Sequence, residues 1–158
     1  MELLQTRPLT TCILRRGDSS YSNGGSVWHR SQQSQKPFFA ACETGKGWDV
    51  CSAYCTLDAT FSAQAEPLLD VTTLAQYTDW MKDIMTALPD AHYEVRSFAM
   101  DAARNNVAAY GVFHATHTGP GGPVPPTGRH TSTDYVYVMQ FDGDKVIHMP
   151  KPGTPASR

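Results

Sequence analysis

The sequence predicts an α+β domain in which helices come first, antiparallel strands follow, and the helices pack on one face of the sheet. Three observations carry this. The segment TTLAQYTDWMKDIMTALPD places Leu74, Tyr77, Met81, Ile84, Met85 and Leu88 along one helical stripe, with Trp80 at its edge. After Pro89-Asp90 the apolar period changes from helical to strand-like, and HYEVRSFAM, VAAYGVFHATHT and RHTSTDYVYVMQF read as strands. Finally, Asp142-Gly143-Asp144 makes a tight turn into KVIHM.

The first element, Lys36 to Glu43, reads as a helix: Pro37 suits a first turn, and Phe38, Ala41 and Cys42 follow helical spacing. It stops at Thr44-Gly45-Lys46-Gly47. A second short helix is expected from Asp49 to Cys55, with Val50 and Tyr54 on one stripe, and then a short strand from Ala59 to Ala63. In the long helix, Thr73 and Gln76 have capping-box spacing, so each side chain can satisfy an unpaired backbone donor.

At 158 residues the chain has room for one domain with a real core. The ordered domain is expected over residues 34–149, with a disordered extension at 1–33 and a disordered tail at 150–158. Apolar residues make up 41% and the formal charge is −2, so no basic face recommends a nucleic acid partner. No apolar run is long enough to span a bilayer, so no membrane partner is expected. The first residues lack the apolar stretch of a secretory signal, which points to a cytoplasmic setting. Arg7, Arg15, Arg16 and Arg30 among serines leave an organellar address as the alternative. Cys12, Cys42, Cys51 and Cys55 are then expected as reduced thiols, and without a CxxC pair no zinc site is expected.

The stretch FHATHTGPGGPVPPTGRHTSTDYVYV gathers His114, His117, His130 and Asp134. Strand parity sends His114 and His117 to opposite faces, so they cannot share a metal, and His130 with Asp134 supplies only two ligands. The prolines of its centre lack the donors a ladder or a phosphate cradle needs. The stretch reads as a hairpin with a stiff loop. In its second strand Tyr135, Tyr137, Met139 and Phe141 share one face, and Val136 and Val138 the other. Helices cover only one face, so a second copy of the chain is the expected cover for the outer one: a homodimer through the outer sheet face.

The chain resembles the nuclear transport factor two-like superfamily, particularly its SnoaL-like polyketide cyclase and ketosteroid isomerase-like branch. The residues that carry the likeness are FFAACETGKGWD, LDATF, the helix ending TALPD, THTG followed by PPTGR, and YVMQFDGDKVIHM. The resemblance implies a cone-shaped, cystatin-like fold, with N-terminal helices packed in a curved antiparallel sheet around an apolar pocket. It implies a small apolar molecule as partner and, in most such proteins, chemistry without metal or cofactor. The steroid isomerase pattern itself is broken: its carboxylate base matches Ala63, its oxyanion-hole tyrosine matches Phe38, and its protonated aspartate matches Tyr137. Steroid isomerase activity is therefore not carried over.

Three residues remain as catalytic candidates. Tyr137 could donate to a developing enolate, Asp134 could act as a base in a dry pocket, and His117 is an acid–base candidate near the rim. Regular parity puts Asp134 and Tyr137 on opposite faces, and a polar role on the sheet or at an interface stays open for all three. Phe38, Tyr54, Phe61, Trp80 and Tyr135 are expected as pocket wall or core. Two functions follow: cofactor-free cyclisation, isomerisation or dehydration of a small apolar carbonyl compound, or a non-catalytic ligand-binding or dimerisation module. The ending HMPKPGTPASR departs from the family, and its prolines predict that the sheet stops near Met149.

Overall fold

The computed structural model describes residues 36–152. The expectations for residues 1–33, Cys12 and the chain after 152 lie outside the described residues. Helical residues 36–43 (α1) bury Phe38, Phe39, Ala41, Cys42 and Glu43. The second helix is shorter than its sequence suggested: α2 spans Trp48–Cys51 and tightens into a 3₁₀ turn, Ser52–Tyr54. Its buried residue is Cys51, whereas Val50 is 44% exposed. The Trp48 N–H donates to Asp79 Oδ1 at 2.8 Å and ties α2 to the long helix.

That helix, α3, spans Leu74–Ala87. Its capping box is complete: the Gln76 N–H donates to Thr73 Oγ1 at 3.2 Å, and the Thr73 N–H donates to Gln76 Oε1 at 3.2 Å. Leu74, Tyr77 and Met81 from the apolar stripe are buried, and Ile84 and Met85 pack against the core.

Five strands follow the helices in space: β1 (Cys55–Ala63), β2 (His92–Asp101), β3 (Asn106–Thr116), β4 (His130–Asp142) and β5 (Lys145–Lys151). They form one sheet in the order β1-β5-β4-β3-β2. Pairing from β2 to β5 is antiparallel, as the turns require, but β1 joins parallel to β5. This long-range partner also explains why β1 begins at Cys55, which pairs with Val146, earlier than local sequence indicated.

The sheet does not stop at Met149. Pro150 and Lys151 continue β5 opposite Ser62 and Ala63 of β1. Pairing with β4 ends at Gln140–His148, so Pro150 lies where β5 is flanked by β1 on one side. A residue without a donor is tolerated at such an edge.

The β3–β4 hairpin alternates as the sequence pattern demands. Tyr137, Met139 and Phe141 are buried and Tyr135 is half-buried on the inner face. The loop between β3 and β4 is pinned to the end of α3, where the Gly119 N–H donates to Ala87 O at 3.0 Å. A Cβ on Gly119 would come within 1.9 Å of Thr86 O, so only glycine allows this approach.

Candidate functional site

The inner ends of α1, α3, β3, β4 and β5 enclose a cavity of about 190 Å3. Glu43, Met81, Tyr137 and Lys151 line it, with Trp80, Ile84, Phe113, Thr133 and Tyr135 toward its mouth. Thr133 is exposed, so the cavity opens to solvent along β4.

Glu43 is the last residue of α1. It follows Phe39 by four positions, and that spacing turns its carboxylate inward with the apolar stripe. It is 3% exposed. Burial raises its pKa; the Tyr137 and Tyr135 hydroxyls and the Lys151 charge pull the other way. No bond of good geometry closes on Glu43 Oε1 or on the Tyr135 hydroxyl. Two buried polar atoms without a partner beside this cavity make it suited to a polar ligand group.

Lys151 enters from the end of β5. Its Nζ lies 5.0 Å from the ring centre of Tyr137, 5.7 Å from that of Tyr77 and 5.8 Å from that of Tyr135, a cage of aromatic faces around one cation. Burial lowers the Lys151 pKa, and the Glu43 charge opposes that shift. The ion pairs among the described residues, Arg96–Glu94 and Arg104–Asp101, include neither Glu43 nor Lys151. The two opposite charges therefore act on each other across the cavity without direct contact.

The tyrosines complete the site. Tyr77 and Tyr137 share a hydroxyl–hydroxyl hydrogen bond in the interior. Burial first, and then the nearby Glu43 charge, raises both phenols well above their usual range. Both stay protonated and able to donate. Tyr135 lies across Gly111, its cross-strand partner, and a Cβ there would sit 2.9 Å from the Tyr135 hydroxyl. The missing side chain at 111 is what makes room for this ring.

The structure separates the residues singled out from the sequence. Tyr137, Tyr135 and Trp80 line the cavity. Phe38 is fully buried in the core, Phe61 stacks on Tyr77 with ring centres 4.1 Å apart, and Tyr54 packs against the core's edge. Asp134 is exposed on the outer face, where the Tyr110 hydroxyl donates to it at 3.2 Å. His117 sits in the β3–β4 loop, its Nδ1 3.2 Å from Thr127 Oγ1. His114 stacks between His92 and His130, at centre distances of 5.0 and 6.3 Å. Among the described residues, no three His, Cys, Asp or Glu side chains are placed to hold a metal ion. Glu43, Lys151 and the hydroxyl of Tyr77 are the site groups that the sequence reading missed.

Comparison with known proteins agrees with this architecture. The family model for SnoaL-like polyketide cyclases matches residues 36–149. No curated protein matches the chain. Among solved structures, AclR from Streptomyces galilaeus, provisionally described as a hydroxylase, superposes with a TM-score of 0.62 at 22% identity, covering 80% of this chain and 79% of its own. A protein of Jannaschia sp. CCS1, provisionally described as a SnoaL-like polyketide cyclase, gives 0.66 at 16% identity over 82% of this chain and 89% of its own. An uncharacterized cystatin-fold protein from Novosphingobium aromaticivorans gives 0.56 at 20% identity over 77% and 96%.

Proposed function

The chain belongs to the SnoaL-like polyketide cyclase family, and from that premise we propose that it binds a small apolar carbonyl compound in the Glu43 cavity and performs acid–base chemistry on it. The observation that carries this reading is the buried Glu43 carboxyl, unpaired at Oε1 and facing the donors Tyr135 and Tyr137. A carboxyl whose pKa is raised by burial holds its proton to higher pH and is a stronger base once ionised, the property needed at a carbonyl's α-carbon or oxygen. The tyrosine hydroxyls can then donate to the oxygen as negative charge develops on it. Cyclisation, isomerisation and dehydration all use this pair of operations. The apolar walls from Trp80, Met81, Ile84 and Phe113 would seat the hydrocarbon part of the ligand.

Binding is tested by recording NMR spectra of the isotope-labelled full chain while adding cyclohexanone. The expected shifts fall on the Trp80 indole, Phe113 and Tyr135. Shifts confined to Tyr110, Val136 and their outer-face neighbours, or none at all, would refute the reading.

A second role is favoured by the outer face. Tyr110 is 38% exposed there, next to half-buried Val136 and Val138. We propose that a second copy of the chain covers this face as a homodimer. Sedimentation equilibrium should give twice the chain mass, reduced to the monomer by Val136→Lys. A wild-type monomer at micromolar concentration refutes it.

A further inference from the structure

Five lysines occur in the chain, and they do not share one environment. Lys36, Lys46 and Lys82 are exposed, and Lys145 Nζ donates to Ala53 O at 2.5 Å. Lys151 lines the cavity, and its Nζ faces three aromatic rings. Aromatic faces attract an ammonium but accept no strong hydrogen bond from it, so the amine gives up little when it reacts. Across the same cavity stands a carboxyl able to carry a proton.

We propose that Lys151 is an amine nucleophile that captures the carbonyl carbon of the cavity's ligand as an iminium, a role that rests on reading this cavity as a carbonyl-compound site. In the forward step the neutral Nζ attacks the carbonyl carbon. A C–N bond forms, the π electrons move to oxygen, and the Glu43 carboxyl protonates that oxygen. The resulting carboxylate takes one proton from the new ammonium, leaving a neutral carbinolamine and a restored carboxyl. The carboxyl then protonates the hydroxyl, the C–O bond breaks, water leaves, and the nitrogen lone pair closes the C=N bond. The sum is amine, carbonyl and carboxylic acid going to iminium, water and carboxylate, with no oxidant or reductant. The product is a cation facing an anion within the tyrosine cage. Burial of Lys151 lowers its pKa and so raises the fraction of reactive amine.

The experiment incubates the full 158-residue chain with cyclohexanone and sodium cyanoborohydride at pH 7, then measures modification of each lysine by peptide mass spectrometry. Cyanoborohydride reduces only the iminium, so each event leaves a stable cyclohexylamine. The expected result is modification of Lys151 about tenfold or more faster than Lys46 and Lys82, which serve as internal exposed controls. Equal or slower modification of Lys151, with cyclohexanone still shifting the Trp80 and Tyr135 resonances, overturns the nucleophile and leaves the carbonyl site standing. Equal or slower modification with no cavity shifts overturns both.

Discussion

Replacing Glu43 with Gln keeps the side chain's shape and removes its charge. The carboxyl is 3% exposed and its Oε1 lacks a partner. Burial lifts its pKa above the ordinary value of 4.5 against the pull of two tyrosines and Lys151. A group whose folded pKa is raised contributes stability that is fully present below its unfolded pKa. That stability is lost as the pH rises through the folded pKa. The amide undergoes no such loss. Glu43→Gln should therefore gain on the wild type between pH 4.5 and pH 8. Leaving a buried group unsatisfied costs roughly 1–3 kcal/mol. Loss of the attraction to Lys151 subtracts from the gain, which places it near the lower end, at about 1 kcal/mol. With a urea slope of about 2 kcal/mol per molar, the midpoint difference between variant and wild type should grow by about 0.5 M. Urea unfolding followed by tryptophan fluorescence at the two pH values measures it. The amide is itself polar, so the change with pH decides the matter rather than the absolute offset. A midpoint difference that is constant with pH, or that moves toward the wild type at pH 8, would refute the reasoning.

Further predictions follow from single contacts. Gly119→Ala drives a methyl group into Thr86 O and should cost about 1–3 kcal/mol in urea unfolding; a change under about 0.5 kcal/mol would show that the loop moves freely. Gly111→Ala pushes the Tyr135 ring toward the cavity and should weaken cyclohexanone binding in the NMR titration while the outer-face resonances stay in place. Thr73→Ala removes the helix cap and should cost about 0.5–2 kcal/mol by thermal or urea unfolding. Asp134→Asn, at an exposed outer-face position, should shift stability by no more than about 0.5 kcal/mol and leave cavity binding unchanged; loss of binding would return Asp134 to the site.

The amphipathic stripe, the capping box and the two long strands of the hairpin were legible because each depends on residues close in the sequence. Strand parity likewise separates Asp134 from Tyr137 by local pattern alone. What local pattern could not supply was pairing across the chain. The parallel β1–β5 contact extends β1 back to Cys55 and carries β5 through Pro150, and nothing in PKPG signals a strand. Lys151 was therefore invisible as a site residue, flanked as it is by two prolines. Glu43 did leave a trace. It shares the helical face of Phe39 and Cys42, and a charged residue on a buried stripe marks either a functional group or a mistaken helix. Tyr77 was read as core, which it is, but its hydroxyl also holds Tyr137 at the cavity.

The central claim is that Glu43 moves protons at a carbonyl compound held in this cavity. The measurement that tests it most directly is deuterium exchange at the α-carbon of cyclohexanone in D2O, followed by NMR with catalytic amounts of the full chain and of Glu43→Gln. General acid–base catalysis contributes about 10²–10⁴-fold. The account predicts exchange accelerated above the buffer rate by the wild type and reduced at least about tenfold in the variant. No acceleration by the wild type, or equal acceleration by Glu43→Gln, would contradict it.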